Sequence, residues 1–204
     1  MSNYTYEAKD IKTPLETYEW DNVWFEHTEN ETADRVMYIG DSISCGTRKI
    51  ATSTSENKLL FDGFGTSKAL DNAYFKDSLR IFARQQGKRR AIVFNNGLHG
   101  WHLEDDTEYA ESYEDFVRFL LDEFKGTPLI LLLTTHVTDA ARDRRVVARN
   151  DAVKKIAEKY SLPTVDLYTV TAENDIVGAD GVHLTPEGYK MLAEAVVDAV
   201  ISNS

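Results

Sequence analysis

The chain has 204 residues and a formal net charge of −11, which argues against non-specific binding to nucleic acid or to an anionic membrane surface. The length suits one domain with a small appendage, and the single cysteine, Cys45, excludes an internal disulfide. No apolar run approaches the ~20 residues that span a bilayer, and no signal-type leader is visible, so we expect a cytoplasmic protein.

The first 34 residues are polar and rich in Tyr, Thr and Glu. We predict an N-terminal extension at 1–34, packed on a domain at 35–204. Trp20, Asn22 and Trp24 share one face at a spacing of two, which indicates a strand or a hairpin. The alternative is an aromatic lip that faces a substrate.

Short apolar runs then alternate with amphipathic helical patterns. The predicted strands are 36–39, 58–61, 91–94, 129–133 and 163–168. Helices are predicted at 71–86, 107–124 and 140–160, with a loop or short helix at 43–57. A last helix begins near Thr185, which can cap it, and Pro186, which fits the first helical position.

This alternation predicts an α/β protein with a five-stranded parallel sheet and helices on both faces. Right-handed crossovers bring the C-terminal ends of all the strands to one edge, where open α/β sheets bind their ligands. The residues expected near that edge are Ser42, Gly63, Gly65, Asn95, Asn96, His136 and the loop at 174–184.

Two short motifs at that edge suggest nucleophilic catalysis. Gly40-Asp41-Ser42 ends the first predicted strand and would leave the Ser42 hydroxyl exposed at the sheet edge. A serine hydroxyl needs an imidazole to take its proton and a carboxylate to orient that imidazole. Asp180 and His183, three residues apart across a glycine-containing turn, supply both groups.

Acyl transfer also requires hydrogen-bond donors for the developing oxyanion. The candidates are the backbone N–H groups of Ser42 and Gly65 and the side-chain amide of Asn96. Glycine suits a donor position because it lets a substrate approach the backbone closely.

With these motifs the chain resembles the SGNH (GDSL-type) hydrolases over about residues 35–200. Gly40-Asp41-Ser42 corresponds to the first block of that family, Gly65 to the glycine of the second, Asn96 to the asparagine of the third, and Asp180-x-x-His183 to the fifth. The resemblance implies a serine esterase on a flavodoxin-like, three-layer α/β/α sandwich. It also implies Ser42 as nucleophile, Asp180 and His183 as its partners, and chemistry without a metal or an organic cofactor.

The two middle blocks depart from the family pattern. The third usually reads Gly-x-Asn-Asp, but here Phe94 and Gly97 occupy the outer positions, so the asparagine is Asn96 or, as the alternative, Asn95. The second block begins Asp62-Gly63, which leaves Gly63 as a rival to Gly65.

Further polar and aromatic residues are candidates for the substrate pocket. They are Asp41, His99, Trp101, His102 and His136. His99 and His102, followed by Glu104, Asp105 and Asp106, also resemble a weak metal-binding pattern, but we favour a pocket role. The helix at 140–160 carries Arg142, Arg144, Arg145 and Arg149, interpreted as a solvated, salt-bridged face or a subunit contact.

The sequence therefore predicts a serine esterase that removes small acyl groups, acetyl above all, from a carbohydrate or similar alcohol. The expected partner is a small ester, not nucleic acid or membrane, and the chain is compatible with a homo-oligomer. The alternatives are a lipase, thioesterase or lysophospholipase, or a non-catalytic binding module on the same fold. Such a module would be expected to lack Ser42, Asp180 or His183, and all three are present.

Overall fold

The predicted parallel strands lie in one sheet, with a further strand at its edge. The computed structural model describes residue 15 and the ranges 18–103 and 106–203. The strands are β1 (Asp21–Trp24), β2 (Asp34–Gly40), β3 (Leu59–Thr66), β4 (Ala91–Phe94), β5 (Leu129–Leu132) and β6 (Thr164–Val165). Their order is β1-β3-β2-β4-β5-β6, and β1 is antiparallel to β3 whereas the other pairings are parallel.

The strand count and two strand lengths correct the prediction. The strand or hairpin expected around Trp20 and Trp24 is present as β1, so the sheet has six strands, five of them parallel as predicted. The strand expected at 58–61 continues to Thr66, because its second half is buried between β1 and β2. The strand expected at 163–168 has only two residues, because Asp166 ends it by accepting a hydrogen bond from the N–H of Thr169.

Six helices cover the two faces of the sheet in the described part of the chain. They are α1 (Ser42–Thr54), α2 (Phe75–Gln86), α3 (Asp106–Glu123), α4 (Ala140–Tyr160), α5 (Leu167–Ala172) and α6 (Pro186–Asn203). Alternate residues of each strand point to opposite faces, so Met37 and Ile39 pack with α2 and α3 while Val36 and Tyr38 pack with α1 and α6. The three-layer α/β/α sandwich is confirmed.

The order of the parallel strands locates the ligand-binding edge. Counted from the first parallel strand, the order is 2-1-3-4-5, which is the flavodoxin-like order. In such sheets the chain leaves in opposite directions from the first and third strands, and a crevice opens between their C-terminal ends. Here those strands are β2, followed by Ser42, and β4, followed by Asn95 and Asn96.

The N-terminal prediction falls partly outside the described residues, since 1–14, 16 and 17 are among the positions not described. The domain boundary at residue 34 therefore stays a prediction. None of the helices in the described ranges combines the length and the apolar character needed to cross a membrane.

Candidate active site

Ser42 is the first residue of α1 and follows β2 after one intervening residue. Asp41 caps the helix, and its Oδ1 accepts a hydrogen bond from the N–H of Ile43 at 2.9 Å. A Cβ at Gly40 would lie 2.7 Å from Cβ of Ser44, so a glycine is required for β2 to turn directly into the helix. The hydroxyl of Ser42 is thus held at the N-terminal turn of a 13-residue helix, where the backbone N–H groups favour negative charge.

Asp180 and His183 lie in a tight turn that precedes α6. Val177 and Leu184 form an antiparallel bridge, and the N–H of Gly178 donates to the carbonyl of His183 at 2.6 Å. Gly181 has φ +77°, a conformation that glycine adopts without strain. These contacts fix the turn so that both functional side chains point to the same side.

The structure brings Ser42, His183 and Asp180 into a continuous chain of hydrogen bonds. Ser42 Oγ lies 2.8 Å from Nε2 of His183, although the two residues are 141 positions apart. Nδ1 of His183 lies 2.7 Å from Oδ2 of Asp180. The spacing is that of a nucleophile, a base and a group that orients the base.

The electrostatics of the turn keep Asp180 ionised. Its Oδ1 accepts hydrogen bonds from the N–H groups of Val182 and His183, at 3.0 and 2.9 Å. The bond from Val182, then the His183 ring and the His183 N–H, lower the pKa of Asp180 to about 2. A carboxylate that remains charged at neutral pH favours a proton on Nδ1 of His183, which leaves Nε2 free to accept the proton of Ser42.

Asn95 and Asn96 follow β4, and their hydrogen bonds separate the two alternatives. Nδ2 of Asn95 donates to the carbonyl of Leu132 and to Oγ1 of Thr134, which accounts for both of its amide hydrogens. Nδ2 of Asn96 donates to the carbonyl of Lys68 at 2.9 Å and keeps a second hydrogen. Of the two asparagines, only Asn96 has a side-chain hydrogen left for an oxyanion.

Gly65 and Gly63 occupy strand positions that do not suit the predicted donor role. The N–H of Ser67 donates to the carbonyl of Trp20 at 3.1 Å, and Gly65 is paired with Asn22 in the same register. Hydrogen-bonded pairs alternate along an antiparallel ladder, so the N–H groups of Gly65 and Gly63 point towards β1. This corrects the expectation that Gly65, or its rival Gly63, donates to the oxyanion.

The two glycines instead allow α1 to pack closely on β3. A Cβ at Gly65 would lie 2.3 Å from Sγ of Cys45, and one at Gly63 would lie 2.3 Å from Cδ of Arg48. Both side chains belong to α1, so a larger residue at Gly65 would push on the helix that carries Ser42, and one at Gly63 would displace the Arg48 side chain.

The amino-acid sequence matches no family model and no curated protein, but many solved structures are similar in fold to this chain. A lipase/acylhydrolase from Enterococcus faecalis aligns with a TM-score of 0.65 at 16% identity, covering 83% of this chain and 96% of that one. A member of the lipolytic G-D-S-L family from Veillonella parvula aligns with a TM-score of 0.66 at 20% identity, covering 81% and 97%. The chain has the SGNH hydrolase fold.

A third similar structure is that of a carbohydrate esterase. The acetylxylan esterase from Geobacillus stearothermophilus aligns with a TM-score of 0.61 at 17% identity, covering 84% of this chain and 96% of that one. The resemblance predicted from the sequence motifs is thereby confirmed at the level of the fold.

The remaining pocket candidates are spread along the same edge of the SGNH fold. His99 lies edge-on to Trp20, with ring centroids 6.2 Å apart. The ring of His102 contacts the carboxylate of Asp71 at 2.9 Å, and Trp101 packs against the guanidinium groups of three arginines of α4. Among His99, Trp101 and His102, His99 is therefore the residue whose ring contacts Trp20 of the N-terminal segment.

His136 and Asp41 have partners of their own. Nδ1 of His136 lies 2.7 Å from Oδ1 of Asp143, and the hydroxyl of Tyr168 donates to the other oxygen of that carboxylate. Asp41 is buried, and its observed contact is the cap of α1. No group of three or more metal-ligating side chains occurs in the described ranges, and Glu104 and Asp105 lie outside them.

Arg149 corrects the interpretation of the α4 arginines as a solvated face. Its side chain is only 1% exposed, and its guanidinium lies 4.4 Å from the centre of the Tyr109 ring. It donates hydrogen bonds to backbone carbonyls of Gly97, His99, Gly100 and Leu103. The Arg149 guanidinium therefore organises the loop after β4. Its spacing of three from Val146 and four from Val153 is the sequence signal that placed it on the buried face of the helix.

Tyr109 and Tyr113 of α3 provide a matched test of how the Asn96 backbone is held. Both rings are fully buried, but the Tyr109 hydroxyl donates to the Asn96 carbonyl at 2.6 Å, whereas that of Tyr113 has no partner in the described part of the chain. We expect Tyr109→Phe to lower the unfolding free energy by about 1–2 kcal/mol, because the buried Asn96 carbonyl loses its donor.

Tyr113→Phe should change the unfolding free energy by less than about 0.5 kcal/mol, since it removes a hydroxyl without a bond. Urea unfolding followed by circular dichroism measures both variants. Equal destabilisation of the two would show that the Tyr109 hydroxyl does not hold Asn96.

Proposed function

We propose that this protein is a serine ester hydrolase in which Ser42 forms an acyl-enzyme. The observation that carries the proposal is the 2.8 Å contact between Ser42 Oγ and His183 Nε2, with Asp180 on the opposite ring nitrogen. Two groups from opposite ends of the chain meet at the ligand-binding edge of the sheet in the geometry that activates a serine.

In the first half of the reaction His183 Nε2 takes the hydroxyl proton as Ser42 Oγ attacks the ester carbonyl carbon. The carbonyl oxygen becomes an oxyanion, for which the Ser42 N–H and the Asn96 amide are the available donors. Loss of one such donor typically costs about 2.7–4 kcal/mol of transition-state stabilisation. The tetrahedral intermediate collapses when His183 gives its proton to the leaving alcohol oxygen, which breaks the carbon–oxygen bond.

The second half repeats these steps with water as the nucleophile. His183 takes a proton from water, the resulting hydroxide attacks the acyl carbon, and the proton returns to Ser42 Oγ as the carboxylic acid leaves. Asp180 remains a carboxylate throughout and stabilises the imidazolium that forms in each half.

We further propose that the substrate is a small acyl ester, an acetyl ester in the first place, of a carbohydrate or similar alcohol. The side chains of His183 and Asp180 are 48% and 54% exposed, so the face from which the alcohol leaves is open to a bulky group. Two of the similar solved structures are described as acetyl xylan esterases, which supports this choice. The lipase/acylhydrolase among them supports the alternative of a longer acyl chain.

A panel of p-nitrophenyl esters from acetate to octanoate, together with acetylated xylo-oligosaccharides, tests the proposal. We expect kcat/KM to fall steeply beyond acetate and acetate to be released from the oligosaccharides. A preference for long chains would replace the acetylesterase with the lipase alternative. No hydrolysis of any ester, with no labelling by a fluorophosphonate probe, would favour the non-catalytic binding module.

The same proposal includes a small-molecule ester as partner, compatibility with a homo-oligomer, and a cytoplasmic location. The net charge of −11 supports the exclusion of nucleic acid and of anionic membranes.

A further inference from the structure

Trp20 belongs to the segment before residue 35, which the resemblance to the SGNH hydrolases does not cover, yet it is fixed at the ligand-binding edge. Its N–H donates to Oγ of Ser67 at 2.8 Å. Its carbonyl accepts from the N–H of Ser67 and from Oγ1 of Thr66, both at 3.1 Å. Three hydrogen bonds therefore hold this residue against the C-terminal end of β3.

The indole of Trp20 extends from β3 across the edge of the sheet. A Cβ at Gly65 would lie 3.6 Å from Cζ3 of Trp20 and 3.5 Å from the carbonyl oxygen of Asp41, the residue before Ser42. On its other side the indole meets the ring of His99 edge-on, at an interplanar angle of 83°. His99 follows β4, and β2 lies between β3 and β4, so the two rings span the strand that leads to Ser42.

The positions of the leaving alcohol and the acyl group indicate which side of the site Trp20 and His99 border. The leaving alcohol must lie beside His183, because that ring protonates it. The acyl group of the same ester then extends away from His183, towards the β3 and β4 side of Ser42. Trp20 and His99 are partly buried rings on that side.

We propose that Trp20, backed by His99, closes the acyl side of the site and sets the upper limit on acyl chain length. This inference rests on the proposed esterase function and names the specificity-determining residue for it. The backbone of Trp20 is fixed by three hydrogen bonds and its partly buried ring lies against His99, so additional methylene groups would collide with the indole and longer acyl chains are rejected by contact.

Trp24 provides a matched control within the same short segment. It is paired with Gly63 in β1, four residues beyond Trp20 and about 14 Å further from the ligand-binding edge, given a rise of ~3.4 Å per residue. Its Nε1 donates to Glu26, and its ring lies 6.0 Å from the guanidinium of Arg48. Its ring is held by contacts away from that edge.

The experiment compares Trp20→Ala and Trp24→Ala with the wild type on p-nitrophenyl acetate, butyrate and hexanoate. Each methylene admitted to an apolar site contributes roughly a fourfold gain. We expect Trp20→Ala to raise the hexanoate-to-acetate ratio of kcat/KM at least tenfold and Trp24→Ala to leave it within twofold. Trp20→Phe should give an intermediate ratio, and it keeps the test available if Trp20→Ala does not fold.

The outcomes separate this inference from the proposed function. An active wild type whose ratio is unchanged in Trp20→Ala or Trp20→Phe overturns the role of Trp20 alone. An equal rise in Trp24→Ala also overturns it, because the effect would then come from general loosening. A wild type that hydrolyses none of the esters overturns the proposed function, and this inference with it.

Discussion

Replacing Ser42 by alanine is expected to lower kcat for p-nitrophenyl acetate by at least about 10⁴-fold. The hydroxyl is the only atom at the end of the His183 hydrogen bond that can form the acyl bond, so its removal ends covalent catalysis. Labelling by a fluorophosphonate probe should disappear in the same variant. Because the side chain is partly exposed, the unfolding free energy should change by less than about 0.5 kcal/mol.

Ser44→Ala is the matched control for this prediction. Ser44 lies in the same first turn of α1, but it is buried, and its hydroxyl donates to the Asp41 carbonyl at 2.7 Å. Its loss should reduce stability by about 1 kcal/mol and leave kcat within a few-fold of the wild type. Residual activity or probe labelling in Ser42→Ala at the level of Ser44→Ala would contradict the assignment of the nucleophile.

Arg149→Met is expected to produce the largest loss of stability, about 3 kcal/mol. The substitution keeps most of the side-chain volume but removes the donors to the carbonyls of Gly97, His99 and Gly100. Each buried carbonyl left unpaired costs about 1–3 kcal/mol, although the Gly100 carbonyl keeps the N–H of Leu103 as a donor. Urea unfolding followed by circular dichroism provides the measurement.

Arg144→Met controls for the loss of a positive charge from α4. Arg144 is exposed, so its substitution should change the unfolding free energy by less than about 0.5 kcal/mol. A small effect of Arg149→Met, comparable with that of Arg144→Met, would show that the loop after β4 does not depend on the buried guanidinium. Since that loop carries His99 and follows Asn96, Arg149→Met should also lower esterase activity.

The local parts of the candidate site were predictable because their signals lie in adjacent residues. A short apolar run ending in Gly40 predicts a strand followed by a sharp turn, and Asp180 and His183 share one turn, so their contact depends on few backbone angles. The helix at 140–160 has the predicted bounds because Asp139 caps its N-terminus and Ser161, in the left-handed conformation, ends it. The role of Gly65 was less predictable, since whether its N–H faces a substrate or a neighbouring strand depends on β1, a strand formed by a distant segment.

The roles of Arg149 and Trp20 also depend on contacts with distant segments of the chain. The spacing of Arg149 from Val146 and Val153 places it on the buried face of α4, but only the packing of the loop after β4 provides the carbonyl partners that allow a guanidinium to be buried there. The position of Trp20 likewise depends on hydrogen bonds to Thr66 and Ser67, more than 40 residues away.

The sequence by itself determined the alternation of strands and helices, the parallel sheet and the identity of the three residues of the Ser–His–Asp arrangement. These follow from short-range periodicity and from motifs of three or four residues. Only the tertiary structure decided which asparagine keeps a free amide hydrogen, which N–H groups the sheet consumes, and that Trp20 lies against the end of β3 and the ring of His99. The physical reason is that hydrogen-bond donors and packing space are shared between segments far apart in the chain, so their use is known only once those segments are in contact.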